Sequence, residues 1–244
     1  MFDHVTIRVS NRGASERFYE TVLGAIGIEK SHADARFAEW SDFSLAAASE
    51  ERPATRRLHI GFVAPSRARV DEFWRAGTAA GYRDDGAPGP RPQYSEDYYG
   101  SFLLDPDGNS AEAVHHESTR RNGVVDHLWI RVADLGASRG FYETIAAPAG
   151  LRKSRDSAER VTFQAGGGSF SLLPGEPTEK VHIAFGASRN EDVDAFHATA
   201  FGAGYADAGA PGERPEYHPG YYAAYVLDPA GFNVELVSHN RAPG

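Results

Sequence analysis

The 244-residue chain is predicted to be an α+β protein of four βαβββ modules arranged in two pseudo-symmetric halves. Three observations point there. Asp3-His4-Val5-Thr6-Ile7-Arg8-Val9 returns as Asp126-His127-Leu128-Trp129-Ile130-Arg131-Val132, an offset of 123 residues. The offset persists downstream: His59 matches His182, Asp105-Pro106-Asp107-Gly108 matches Asp228-Pro229-Ala230-Gly231, and Glu112 matches Glu235. Self-similarity at one fixed offset marks a duplication with almost no insertions. Finally, strand-like and helix-like periodicities alternate twice inside each half, which divides each half again.

Each element follows from local pattern. Val5, Ile7 and Val9 alternate with His4, Thr6 and Arg8, as in a strand covered on one face. From about Gly13 to Leu23, Ala14, Phe18 and Val22 recur four apart and form a helical stripe, ended by Gly24 and Gly27. Ala35–Trp40 and Phe43–Ala48 read as short strands. The cycle restarts at Leu58–Val63, where Leu58, Ile60 and Phe62 alternate with His59, Gly61 and Val63. Ser66 is placed to cap a second helix, striped by Val70, Phe73 and Trp74 and closed by Gly81. A loop rich in Gly and Pro is expected from Asp84 to Gln93. Strands Tyr99–Leu104 and Ser110–His116 follow, and then a linker, Glu117–Gly123.

The second half repeats the plan, with helix stripes Phe141/Ile145 and Val193/Phe196/Ala200. Ser188-x-x-Glu191 has capping-box spacing. Gly166–Gly168 precedes no helix and has no lysine neighbour, so it reads as a hairpin or bulge rather than a phosphate loop. Lys153 and Lys180 are isolated surface positions. Residues 1–118 and 124–240 are the two expected domains.

Composition narrows the function. Hydrophobic content of 41% and charged content of 24% are those of a globular protein. No stretch approaches the roughly 18 apolar residues of a membrane span. Met-Phe-Asp-His opens a strand directly, without a basic-then-apolar leader, so a cytoplasmic location is expected. The absence of cysteine excludes disulfides, thiolate nucleophiles and thiolate metal ligands. A net charge of −9 without a basic stripe argues against a nucleic-acid partner. Small molecules are the expected partners.

His4, His59 and Glu112 lie on the polar faces of their strands, away from the apolar faces that pack on helices. They are one module apart in sequence, and His127, His182 and Glu235 repeat them. Two imidazoles and a carboxylate suit a divalent first-row metal. A single strand histidine is ordinarily a structural, hydrogen-bonded residue; two copies of the set at one spacing are less ordinary.

These residues carry a resemblance. The two Asp-His openings, the strands Leu58-His59-Ile60-Gly61-Phe62 and Val181-His182-Ile183-Ala184-Phe185, and the endings from Asp105 to Glu112 and Asp228 to Glu235 resemble the vicinal oxygen chelate superfamily. That group holds glyoxalase I, bleomycin-resistance proteins, fosfomycin-resistance transferases and extradiol dioxygenases. Arg91-Pro92-Gln93-Tyr94 with Tyr98-Tyr99, and Arg214-Pro215-Glu216-Tyr217-His218 with Tyr221-Tyr222, resemble a branch of small single-repeat members. The resemblance implies two open, metal-holding cups. It also implies that His4, His59, Glu112, His127, His182 and Glu235 are metal ligands, for Fe2+, Mn2+, Ni2+ or Zn2+. Pairing is open between His4/His59/Glu112 with His127/His182/Glu235, and an exchange giving His4/His182/Glu235 with His127/His59/Glu112. The exchange is favoured, because single-repeat relatives share ligands across a dimer and this chain looks like such a dimer fused. A monomer or a homodimer is expected.

The ending Tyr225-x-x-Asp228-Pro229-x-Gly231-x-x-x-Glu235, preceded by His218, approaches the extradiol dioxygenase signature and departs from it at Ala224. The first repeat carries Ser95 and Phe102 instead. His218 and Tyr225 are therefore the candidate catalytic residues, with His116 and His239 as further bases. Arg8, Arg131, Trp129, Tyr94, Tyr99, Tyr217 and Tyr222 are candidates for substrate binding. Trp129 stands where Thr6 does, and Ala184 where Gly61 does, so one site is expected to be altered. The expected function is metal-dependent chemistry on a small oxygenated, possibly aromatic metabolite. It would chelate two neighbouring oxygens and act as a glyoxalase-type lyase or isomerase or a ring-cleaving dioxygenase. The alternative is a bleomycin-resistance-like binder without catalysis.

Overall fold

The computed structural model describes residues 1–118, 120 and 122–240. Thr119 and Arg121, within the expected linker, and residues 241–244 lie outside the described residues. The first module holds β1 (Phe2–Val9), α1 (Arg12–Ala25), β2 (His32–Ala33), β3 (Phe37–Trp40) and β4 (Phe43–Ala47). The second holds β5 (His59–Val63), α2 (Arg67–Ala79), β6 (Arg83–Pro90), β7 (Tyr99–Leu104) and β8 (Ser110–His115). The third holds β9 (Val125–Val132), α3 (Leu135–Ile145), β10 (Arg152–Asp156), β11 (Val161–Ala165) and β12 (Gly168–Pro174). The fourth holds β13 (His182–Ala187), α4 (Asn190–Gly202), β14 (Ala206–Glu213), β15 (Tyr221–Leu227) and β16 (Asn233–His239).

The modules combine across the halves. One eight-stranded sheet runs β14-β15-β16-β13-β1-β4-β3-β2 and joins the fourth module to the first. The other runs β10-β11-β12-β9-β5-β8-β7-β6 and joins the third to the second. We call these the outer and inner sheets. Each seam is an antiparallel pair of first strands, β1 with β13 and β5 with β9. The sheets are open rather than closed barrels. The sequence repeats 1–118 and 124–240 are thus not the units of the sheets.

The apolar faces of both sheets enter a single core, with α1 packed on α2 and α3 on α4. Phe43 of the outer sheet meets Phe62 of the inner at 5.0 Å between ring centroids, and Phe170 of the inner meets Phe185 of the outer at 5.8 Å. The crossing segments clasp each other: Thr55 Oγ1 donates to Lys180 O and Thr178 Oγ1 to Arg57 O. A buried ion pair fixes the linker. Arg120 binds Asp42 and donates to Val125 O and Phe2 O, while Asp42 accepts from the backbone N–H of Val124 and Val125.

Helix ends follow side-chain capping in three of four cases. Asn11, Ser66 and Asp134 accept from the N–H three residues on. The capping box expected at Ser188 is absent. Arg189 is the cap residue of α4 without a side-chain bond to the backbone, and it pairs with Asp192 instead. The Asp84–Gln93 loop is also corrected, because most of it is β6. Edge strands tolerate glycine, proline and bulges, and β6 and β14 are edge strands with register shifts at Gly86/Gly89 and Gly209/Gly212. The expected hairpin at Gly166–Gly168 is present. Gly166 and Gly167 have φ of 52° and 83°, as a two-residue hairpin turn requires, and Ala165 pairs with Gly168. Lys153 pairs with Glu143 and Asp156. Among the described residues no helix is long and apolar enough to cross a membrane.

Candidate metal centres

On β1 and β9 the alternation that buries Val5 and Leu128 turns His4 and His127 to the other face of each sheet. Their neighbours across the seam are the strands of His182 and His59. Next come β16 and β8, parallel to those strands, with Glu235 and Glu112. Three adjacent strands therefore supply each ligand set, and the pairing is the exchanged one: His4/His182/Glu235 in the outer sheet, His59/Glu112/His127 in the inner.

In the inner set His59 Nε2 lies 3.1 Å from His127 Nε2 and 3.0 Å from Glu112 Oε2, and His127 Nε2 is 3.2 Å from that oxygen. In the outer set His182 Nε2 is 3.1 Å from His4 Nε2 and 3.0 Å from Glu235 Oε2, with His4 to Glu235 at 3.6 Å. Divalent-ion bonds of about 2.0–2.2 Å place neighbouring ligands of an octahedral or tetrahedral set about 3.0–3.4 Å apart. The inner set meets that requirement at all three distances and the outer set at two, with His4 to Glu235 slightly longer.

The supporting hydrogen bonds fit as well. His4 Nδ1 donates to Asp3 and His127 Nδ1 to Asp126, each at 2.9 Å. His59 Nδ1 donates to Ser110 Oγ, which donates to Asp85. With Nδ1 committed, each Nε2 presents its lone pair to the centre, the usual arrangement behind a metal-ligating histidine. His182 differs. Its Nδ1 and Asn233 Oδ1, neighbours in register, are both buried without a protein partner.

The carboxylates are 1% exposed. Burial pushes Glu112 up, but hydrogen bonds from His127 and His59 outweigh it and hold it at about 2. Burial pushes His127 down, and Asp126 and Glu112 overcome it and hold it at about 10. The outer pair shifts the same way: burial opposes, yet His182 and His4 hold Glu235 low, and Asp3 and Glu235 hold His4 high. An ion bound at either centre would take the place of the proton these groups otherwise share.

Two tyrosines complete the centres. Tyr221 Oη donates to the second oxygen of Glu235 at 2.6 Å, and Tyr98 Oη to that of Glu112 at 2.8 Å. Burial and the adjacent carboxylate keep both phenols far above their usual range, hence protonated donors. The tyrosines expected from sequence, Tyr99 and Tyr222, are their neighbours. Tyr99 and Tyr222 face the helices and donate to Asp71 and Asp194, away from the centres. The missing signal was period two. Tyr225 sits opposite Glu235, and Tyr221, four residues earlier, shares its face.

The outer triad opens into one cavity of about 1440 Å³, also lined by Arg8, Tyr217, His218 and Tyr225. Burial pushes the Tyr225 phenol up, so it too stays protonated. His218 Nε2 is paired with His239 Nδ1 at 2.9 Å, and His239 continues to Asp3 at 2.7 Å. His218 thus joins the ligand's supporting chain. Arg8 Nη1 donates to Ala47 O, and Tyr217 is 46% exposed at the rim. In the inner sheet Trp129 and Tyr94 stand over the triad, and Arg131 lines the cavity on one side of them. Gly61 lies against the His127 ring, 2.3 Å from where a Cβ would be. Ala184 fills that position beside His4, consistent with the looser outer triangle.

A family model described as the Glyoxalase/Bleomycin resistance protein/Dioxygenase superfamily matches residues 1–113. No curated protein matches the chain. Glyoxalase I from Zea mays is similar in structure, with a TM-score of 0.68 at 18% identity over 98% of this chain and 92% of that one. A proposed dioxygenase from Bacillus subtilis gives 0.69 at 14% identity, over 99% of this chain and 86% of that one. These likenesses are of fold, and both extend over two halves. Residues 1–113 are thus similar to the glyoxalase/bleomycin resistance protein/dioxygenase superfamily, and the second half repeats that unit in sequence and in fold.

Proposed function

We propose that the chain is a divalent-metal-dependent enzyme that binds two neighbouring oxygens of a small metabolite. The observation that carries this is the convergence of three lone pairs at 3.0–3.2 Å in the inner set and 3.0–3.6 Å in the outer, in the exchanged pairing. His4, His182 and Glu235 would hold one ion, and His59, Glu112 and His127 the other. A bound ion would supply Lewis acidity toward an enolate or catecholate and, as Fe2+, affinity for dioxygen. The chain's own residues hold the substrate side. Tyr221 fixes Glu235 as a one-oxygen ligand, Tyr225 offers a protonated hydroxyl, and Arg8 offers charge to an anionic group. The reaction is of the glyoxalase-type lyase or isomerase kind, or ring cleavage.

Metal content tests the reading. Purified and reconstituted protein is expected to hold two equivalents per chain, falling to one in Glu112→Ala and in Glu235→Ala. Absence of metal after reconstitution sinks it. Iron with dioxygen uptake on catechols selects ring cleavage; Mn, Ni or Zn with turnover of 2-oxoaldehyde adducts selects the lyase or isomerase. A non-catalytic binder of planar aromatics is the second reading, favoured by the Trp129, Tyr94 and Tyr98 cluster. Tight aromatic binding without metal or turnover would select it.

A further inference from the structure

We propose that Trp129 gives the two centres different ligand ranges: the outer accepts extended chelating ligands, and the inner accepts only compact chelating anions. This rests on both triads holding metal. Trp129 extends from β9 on the same face as His127, its ring 5.7 Å from His59 and 6.4 Å from His127. It is held in place from two directions. Tyr94 meets it edge-on at 5.3 Å, and the Arg160 guanidinium lies 5.3 Å from its ring.

The indole, together with Tyr94 and Tyr98, stands between two spaces above the inner triad. One compartment, of about 510 Å³, reaches His59 and Glu112; the other, of about 790 Å³, reaches His127. Trp129 lines both. The outer cup has Thr6 at this position, its hydroxyl bonded to Ser44, and a single space reaches all three of its ligands. A ligand spanning several rings fits the outer cup and collides with the indole in the inner one.

The charges differ in the same sense. The compartment at His127 is lined by Arg152 and Arg160, neither in an ion pair among the described residues, and Arg160 Nε is buried without a partner; its one carboxylate, Asp126, is paired with His116 and His127. Thr162 and Gln164 add polar atoms there. At the equivalent of Thr162 the outer cup carries Glu39. The inner compartment therefore suits a small anion.

The test uses the full chain loaded with Co2+, read by its visible absorption. Glu235→Ala leaves only the inner centre, and Glu112→Ala only the outer. The probes are oxalate and 2,3-dihydroxynaphthalene, each with two neighbouring oxygens. Oxalate is expected to shift both spectra. The naphthalene is expected to bind the inner centre at least about tenfold more weakly than the outer. Trp129→Thr in the Glu235→Ala chain is expected to bring the two affinities within about threefold. Trp129→Phe serves as a second variant and is expected to give an intermediate result. Equal naphthalene binding at both centres with Trp129 present overturns the proposal, as does an inner centre unchanged by both Trp129 variants. A wild-type chain that takes up no Co2+ is a separate result: it removes the metal reading, and this proposal with it.

Discussion

Replacing Tyr221 by Phe isolates one atom of the outer centre. The hydroxyl donates at 2.6 Å to the Glu235 oxygen that faces away from the histidines, and Tyr221 is only 7% exposed, so water does not readily take its place. A hydrogen bond to a charged group is worth about 1.5–3 kcal/mol, and each 1.4 kcal/mol is tenfold in affinity. Loss of a partner behind a metal ligand typically costs about 10–100-fold in metal affinity. The two arguments agree, so Tyr221→Phe in the Glu112→Ala chain is expected to weaken metal binding by about 10–100-fold. The assay is competition against a chromophoric chelator, with circular dichroism to verify the fold. Tyr98→Phe in the Glu235→Ala chain is the matching experiment, since Tyr98 makes the same bond at 2.8 Å. Affinities within about twofold of the parents, with the fold intact, would refute the view that these phenols orient the ligand carboxylates.

Three further outcomes are expected. Tyr99→Phe and Tyr222→Phe should leave metal affinity unchanged in the same competition assay, because their hydroxyls serve Asp71 and Asp194 on the helix side. Asp42→Ala should cost about 3–5 kcal/mol in urea unfolding, because it leaves the Arg120 guanidinium buried and the N–H groups of Val124 and Val125 unpaired. A double-mutant cycle with Arg120→Met should recover part of that loss. Burial pushes the Asp228 carboxyl up to about 6 from its ordinary 3.8, against the backbone N–H groups of Phe232 and Ala230. The folded state then binds that proton more tightly than the unfolded chain. Its contribution is least favourable above pH 6 and recovers as pH falls toward 4. Measured by urea unfolding of metal-free protein, the stability of the parent relative to Asp228→Asn should rise by about 2.4 kcal/mol from pH 7 to pH 4.

Much of this architecture was legible in the sequence because the duplication is nearly free of insertions. A fixed offset located two halves, periodicity divided each into two modules, and the module length placed two histidines and a glutamate on symmetry-related strands. The exchanged pairing required more. The 123-residue repeat is compatible with both pairings, and only the seams of β1 with β13 and β5 with β9 decide between them. The tyrosines were missed by one residue. Tyr98-Tyr99 and Tyr221-Tyr222 each put one ring on either face, and counting in twos from Tyr225 would have chosen Tyr221. β6 was hidden because its Gly and Pro content is that of a turn, and only its place at a sheet edge makes it a strand. His218 reads as a free base in the sequence because its partner, His239, lies 21 positions away on β16.

The nesting of the sheets also sets an order in time. The inner sheet is one contiguous run of chain, Arg83 through Asp156 included, bounded by His59 and Pro174. It can assemble while the fourth module is still being synthesised. The outer sheet must join the first strand to segments more than 170 residues later, with His4 and His182 separated by 178 positions. Loop closure over such distances is slow relative to local pairing. On a ribosome the outer centre is therefore the last part of the molecule to close. Completion of the His4/His182/Glu235 cluster then reports whether the chain has folded through to β16.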